Sequence, residues 1–329
     1  MADIEVFGWQ ADHAGGYYRI QLPLQALGAR GHATASSVLM PDFVRGDANL
    51  IIIGQRICHP RATQLWQSFA AEGRRLVFEI DDDLWNIDPS SPVDHKFFGD
   101  EEIRTNLRRN IEVAAAVTVT TEPLADRVRQ WNPNVHVVPN AVPDWLLGHQ
   151  PQQRHDDTIT LGWGGGATHR MDWERHGGQI HRFLDLRPQT EIHCIGVNYV
   201  RMVGVPLERI RFTPWAANVE EYLRTIDYHI GIAPLREHVF NRSKSALKAI
   251  ECGALGIPVV ASAVRPYQDY VQHGITGYLV RRDEEWVHLL SALANDYDMR
   301  VAMGEAARVR AAQQTISCLV PLWEKAIFG

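Results

Sequence analysis

Short apolar runs alternate with amphipathic stretches along the whole chain, and this alternation predicts strand–helix repeats. In the first half, strands are expected at 4–9, 49–53 (NLIII), 75–80 (RLVFEI), 117–121 and 135–138. Helices are expected at 16–30, 60–72, 101–116 and 123–131. The first of these puts Ile20, Leu24 and Leu27 on one face and ends at Gly31, a glycine C-terminal cap. The second half repeats the scheme. Strands are expected at 158–163, 191–196, 228–233 (YHIGIA), 258–262 (PVVAS) and 277–280, and helices at 171–186, 218–226 and 243–254. Beyond 283 the pattern is mostly helical. Strands that alternate with helices give parallel sheets covered on both faces.

Between the halves, residues 139–157 hold three prolines and few periodic apolar positions, which marks an interdomain linker. The expected architecture is α/β, with two doubly wound, Rossmann-like domains facing a central cleft. Their bounds are 1–145 and 146–312, and a last helix at 313–329 with Trp323 crosses back to the first domain. Ligands in such open sheets lie at the carboxyl ends of the strands.

At 329 residues the chain is long enough for two domains, and 45% hydrophobic residues suffice for large cores. The net charge of −6 provides no global positive field for nucleic acid or anionic membrane. Cys58, Cys194, Cys252 and Cys318 are scattered and form no CxxC pair, which argues against a disulfide framework or structural zinc and fits a reducing cytoplasm. The opening residues lack a basic region followed by an apolar run, so no secretory signal is expected. No stretch approaches the ~18 apolar residues of a membrane span.

The strongest chemical signal is 231–262, GIAPLREHVFNRSKSALKAIECGALGIPVVAS. A strand ends at Pro234, a polar loop follows, and Arg242, Ser243, Lys244 and Ser245 crowd the expected helix start. A helix N-terminus with two added cations suits a diphosphate. Glu251, two turns on, suits a ribose hydroxyl pair. Ser243 and Ser245 also have the chemistry of helix caps.

This stretch resembles the nucleotide-sugar site of the retaining GT-B glycosyltransferases of family 4. There, a Glu, seven residues and a second Glu precede a small-Gly-x-Pro-Val-Val-Ala segment. Glu251 matches the second Glu and 256–262 (GIPVVAS) the tail, while Ser243 stands where the first Glu would be. The run 240–245 (FNRSKS) followed by Leu247-Lys248 is similar to a subgroup from bacterial surface-polysaccharide clusters and some phages.

Three further segments agree with that resemblance. The glycine loop 162–170 (GWGGGATHR) presents Gly164, Gly165, Gly166, Thr168 and His169 to a donor phosphate, with Asp172 three residues after the histidine. It resembles a Gly-Trp-x-Gly-Ser-x-x-His loop of the same subgroup. In the first half, 12–19 (DHAGGYYR) places Gly15 and Gly16 before a helix, with His13, Tyr17 and Arg19 directed to the acceptor or sugar. The run 81–89 (DDDLWNIDP) sets Asp81, Asp82 and Asp83 at a strand end. Their mutual repulsion calls for either a divalent metal, through the Asp-x-Asp pattern, or sugar hydroxyls. The second fits better, because the phosphate-gripping residues lie in the other half.

The resemblance implies a metal-independent transfer of a sugar from a nucleoside-diphosphate sugar to an acceptor hydroxyl, with retention. It needs no cofactor beyond the nucleotide-sugar co-substrate. Arg242 and Lys244 would stabilise the leaving diphosphate, with Asp82 and Asp83 at the reacting sugar and Asp81 beside it. Glycan, protein or modified nucleic acid all fit as acceptor. Arg104, Arg108 and Arg109 form a basic helix face that suits either plain solvation, which fits better, or an acidic acceptor. Two other functions share this pattern: an inactive homologue that only binds nucleotide sugar, and a GT-B-shaped sugar-nucleotide epimerase. A hydride-transfer enzyme fits poorly, because Gly15-Gly16 lacks the third glycine of the dinucleotide fingerprint.

Overall fold

The structure, a computed structural model, describes residues 4–11, 16–89, 91–149 and 158–329. The chain separates into two compact units. The first comprises Met1–Pro143, Ser243–Ser245 and Thr315–Gly329, and the second Asp144–Arg242 and Ala246–Gln314.

In the first unit six strands form one parallel sheet: β1 (Val6–Trp9), β2 (Thr34–Ser37), β3 (Ile51–Gln55), β4 (Leu76–Ile80), β5 (Ala116–Val119) and β6 (Val135–Val137). Their spatial order is β2-β1-β3-β4-β5-β6. The inner strands β1, β4 and β5 are buried at every position, which is why they read as continuous apolar runs. The polar edge strand β2 (TASS) is only partly covered and carries no such run. Helix Pro60–Ala71 packs Trp66 edge-on against Phe78 at 5.9 Å, and the Trp66 indole N–H donates to Asn110 O. The last helix, Ile316–Phe328, joins this unit through Trp323, which is 1% exposed.

The second unit carries β7 (Ile159–Gly165), β8 (Thr190–Gly196), β9 (Ile210–Thr213), β10 (Ile230–Ala233), β11 (Val259–Ser262) and β12 (Gly277–Val280). All are parallel, in the order β12-β11-β10-β7-β8-β9. This is the doubly wound Rossmann order, and its switch point lies between β7 and β10. Trp163, Trp173 and Trp286 fill the core beneath it, with Trp163 and Trp173 edge-to-face at 5.4 Å. At Gly162 a Cβ would fall 1.8 Å from the Tyr228 ring, so only glycine lets that ring lie on β7.

Both sheets thus have the expected architecture. The edge strands β2 and β9 were not anticipated, because each is short and half-covered. A second departure concerns the loop after β10. The helix expected from 243 begins only at Leu247, and Val239–Arg242 forms a separate single turn. Within the first unit the Thr121 hydroxyl donates to Ser243 O at 2.8 Å, and the Asn140 amide donates to Ser245 Oγ at 2.8 Å. These bonds hold 243–245 as a non-helical connection between the two helical segments. Ser243 and Ser245 therefore do not cap the helix, which has no side-chain cap.

Candidate active site

The carboxyl ends of β7 and β10 bring together residues from three segments of the second unit. β7 runs on through Gly164 and Gly165, and Gly166 leads into a short turn, Ala167–His169, that feeds helix Arg170–Asp185. Thr168 lies inside that turn. The three glycines differ in what they make possible. A Cβ on Gly164 would meet the Tyr222 hydroxyl at 2.8 Å, and one on Gly165 would meet the Trp163 ring at 2.5 Å. Above Gly166 nothing lies within 4 Å. The first two glycines permit packing, and the third leaves its backbone open to a ligand.

A buried polar relay lies beside this loop. His169 is 6% and Asp172 1% exposed, and His169 Nδ1 is 2.7 Å from Asp172 Oδ2. The second carboxylate oxygen, Asp172 Oδ1, accepts from Arg236 N at 2.9 Å and from Asn241 Nδ2 at 3.0 Å. With Asp172 accepting from Nδ1–H, the Nε2 lone pair faces Lys248 Nζ at 3.0 Å. An acid thus fixes a histidine tautomer, and the histidine orients an ammonium group.

Lys248 and Glu251 are one turn apart on helix Leu247–Ala254, which places them on neighbouring positions of one face. Glu251 is 3% exposed, and its Oε2 accepts from the Tyr222 hydroxyl at 2.9 Å. The nearby Tyr267 phenol is held far above its usual range by burial, with Asp172 and Glu251 adding to the effect. The site therefore joins two buried carboxylates, one oriented ammonium and an uncovered glycine backbone, the polar set that a phosphorylated, hydroxyl-bearing ligand requires.

The remaining sequence-predicted residues have other places. Arg242 is exposed and pairs with Glu237, not with the helix start. Ser243 is 4% exposed and, with Lys244 and Ser245, belongs to the first unit. In that unit Gly16 packs against Gln10, and Tyr17 is 5% exposed in the π-helical turn Tyr17–Gln21. Arg19, expected to reach a ligand, is instead internal. It is 1% exposed and donates to Glu79 Oε1 (2.7 Å), Val138 O (2.7 Å) and Asn140 Oδ1 (3.2 Å). A guanidinium this buried, with Nε and Nη1 bonded inside the unit, is a structural group. His13 and Gly15 lie outside the described residues.

The aspartate run is neutralised by arginines. Arg56, with a left-handed φ of +49°, donates from Nε to Asp81 Oδ1 at 2.6 Å and from Nη2 to Asp82 Oδ2 at 3.4 Å. Burial works against the Arg56 charge, but Asp81 and then Asp82 outweigh it and hold the guanidinium above its usual range. Asp83, 2% exposed, accepts from Asn86 (2.8 Å) and Arg127 (3.0 Å). Its carboxyl is raised by burial, with those two partners pulling it back. The mutual repulsion that called for a metal or sugar is thus met within the protein. Among the described residues, no group of three His, Cys, Asp or Glu is placed to hold a metal ion. Two residues of the basic face are internally bonded, Arg104 to the Phe98 and Trp85 carbonyls and Arg108 to Glu112, and Arg109 is exposed.

Residues 178–296, all but 243–245 of them in the second unit, match the family model "Glycosyl transferases group 1". The whole architecture is similar to sucrose-phosphate synthase of Thermosynechococcus elongatus (TM-score 0.69, 15% identity, 98% of each chain). The chain has the GT-B fold of two Rossmann-like domains. The GT-B chain is similarly close to Anabaena HepE in a complex with UDP and glucose (TM-score 0.67, 13% identity, 99% of this chain and 100% of that one). It also matches TarM of S. aureus in a complex with UDP (TM-score 0.64, 14% identity), covering 86% of this chain but only 56% of TarM. No curated protein matches.

Sequence reasoning did not select Tyr222, Asn241 or Lys248 as site residues of this GT-B chain. Tyr222 is in a helix 29 positions from Glu251, and only the fold joins them. Lys248, by contrast, carried a visible signal, since it precedes Glu251 by three positions on a helix.

Proposed function

We propose that the chain transfers a sugar from a nucleoside-diphosphate sugar to an acceptor hydroxyl, with retention and without a metal ion. The second unit binds the donor, and the first serves the acceptor. The observation that carries this reading is the buried Glu251 carboxylate, oriented by Tyr222 and aligned with Lys248 at the carboxyl ends of β7 and β10. The group 1 match in the same unit and the UDP-bound HepE and TarM structures support it.

Each residue has a defined task. Glu251 accepts from the ribose hydroxyls. Gly166 and the amides at the start of helix Arg170–Asp185 face the diphosphate, where the helix dipole favours negative charge. Lys248, held by His169 and Asp172, supplies the full positive charge that develops a partner as the sugar–phosphate bond breaks. Electrostatic preorganisation of this kind does the work a divalent ion would do elsewhere. The acceptor hydroxyl attacks from the face the diphosphate leaves, and the departing phosphate takes its proton.

A reducing, cytoplasmic setting agrees with four cysteines that form no disulfide among the described residues, three of them buried. Among the described residues, no helix is long and apolar enough to cross a membrane.

A second reading has one observation behind it. Ser243, where the family resemblance places a carboxylate, is buried and its carbonyl is bonded to Thr121, which fits a chain that binds nucleotide sugar without turning it over. A thermal-shift and turnover screen with UDP-, GDP-, dTDP- and CMP-sugars separates the two. The transferase reading expects one donor to stabilise the protein and to release nucleotide when acceptor is present, and expects Glu251→Ala to lose both responses. Unchanged responses in Glu251→Ala contradict the site. Stabilisation without turnover across an acceptor panel favours the binding subunit.

A further inference from the structure

We infer that Trp215 is the stacking platform for the nucleobase of the donor, and so a specificity-determining residue of the second unit. This rests on the donor site proposed above. Trp215 follows β9 in the loop that leads to helix Val219–Thr225, and 51% of it is exposed, unusual for the largest apolar side chain in a unit with three fully buried tryptophans.

Its surroundings decide its role. The indole packs on Gly196, the last residue of β8, where a Cβ would lie 2.6 Å from the ring. Gly196 has a φ of +94°, a conformation that favours glycine, so the backbone itself forms the seat of the ring. The Trp215 ring also meets Tyr222 edge-on, with centroids 5.5 Å apart. Tyr222 is the residue whose hydroxyl orients Glu251. Val197 N also donates to Gly165 O at 3.0 Å, which ties the seat of the indole to the glycine loop.

Trp215, Tyr222 and Glu251 therefore form a continuous series along the carboxyl edge of the sheet. The open Gly166 backbone and Lys248 continue it towards the phosphate side. A nucleoside diphosphate has the same order of parts: a flat aromatic base, a diol and a diphosphate. With Glu251 on the diol, the base extends away from the phosphates, towards β8 and β9, where the half-exposed indole waits. Aromatic side chains recognise any base through its π-face, so Trp215 provides affinity. Groups at the ring edge would then discriminate among bases.

The test is calorimetric titration of UDP, GDP and inorganic pyrophosphate into the wild-type chain, Trp215→Phe and Trp215→Ala. Pyrophosphate has charge but neither base nor ribose. We expect Trp215→Ala to weaken the better-bound nucleotide by about thirtyfold, the middle of the range for loss of one base–aromatic stack. Trp215→Phe, which keeps a ring on Gly196, should recover most of that loss, and pyrophosphate should bind all three proteins alike. Nucleotide binding should also quench less tryptophan fluorescence in Trp215→Phe than in the wild type. Unchanged nucleotide affinity in Trp215→Ala overturns the inference. So does a parallel loss for pyrophosphate, which would make Trp215 a mere brace for Tyr222. A wild-type protein that binds pyrophosphate but no nucleotide overturns the donor site itself, a result distinct from either.

Discussion

Replacing Arg19 with methionine exposes how the first unit carries a buried charge. The guanidinium donates to Glu79, Val138 O and Asn140 Oδ1, and its Cζ lies 4.8 Å over the Trp323 ring. Glu79 is 0% exposed, and burial pushes its carboxyl from 4.5 up to about 7, with Arg19 pulling it down. A carboxyl whose folded value exceeds its unfolded value keeps its proton longer in the folded state. Stability therefore falls as pH rises from about 4.5 to about 7 and is level above that. In Arg19→Met the downward pull is gone, so Glu79 stays protonated to higher pH. Each further pH unit then costs about 1.4 kcal/mol. Between pH 7 and 9 the variant should lose up to roughly 3 kcal/mol that the wild type keeps. A pH-independent loss of about 1–3 kcal/mol accompanies it, because Val138 O and Asn140 Oδ1 lose their donor.

Hydrogen exchange of peptides covering β4 and β5, corrected for intrinsic rates, reads this directly in the affected unit. Protection in Arg19→Met should fall about tenfold more per pH unit than in the wild type above pH 7. Adding Glu79→Gln should remove that slope. An equal difference between Arg19→Met and wild type at pH 7 and pH 9 would refute the reasoning, since Glu79 would then not be the titrating group.

Other predictions concern the second unit. Glu251→Gln should weaken nucleoside-diphosphate binding by about 1.5–3 kcal/mol, the range for a hydrogen bond to a charged group, without changing the unfolding midpoint; calorimetry and a urea titration check both. Lys248→Met should lower kcat by about 10²–10³ with little change in donor KM, as for loss of a group that stabilises developing negative charge; steady-state kinetics of donor consumption measure it. Two glycine substitutions should separate packing from binding. Gly162→Ala, whose Cβ would strike the Tyr228 ring at 1.8 Å, should cost about 1–3 kcal/mol or more of stability. Gly166→Ala, with open space above it and a φ of −94°, should melt like the wild type and bind donor more weakly.

The chain displays its architecture where strands are buried on both faces. β4 (LVFEI) and β11 (VVAS) are apolar because helices cover them on either side, so periodicity alone locates them. β2 (TASS) and β9 (IRFT) sit at sheet edges, where half the strand faces water and the apolar signal fades. Local helix reasoning also fails at 243–245. The serines there have good cap chemistry, but Thr121 and Asn140, more than 100 positions away, draw the segment out of the helix. Glu251 and His169 were legible because their loop and helix motifs are contiguous. Tyr222 was not, because its role depends on a contact 29 positions away. The acidic run shows a third limit. Sequence registers the repulsion among Asp81, Asp82 and Asp83 but not that Arg56, 25 positions before Asp81, and Arg127, 44 after Asp83, neutralise it.

The most direct measurement is a crystal structure of the chain soaked with the nucleotide sugar that stabilises it most. The account predicts the ribose hydroxyls on the Glu251 carboxylate and the diphosphate over Gly166, beside Lys248. A nucleotide bound elsewhere, or a Glu251 carboxylate that keeps only Tyr222 as its partner while donor occupies the protein, would contradict it.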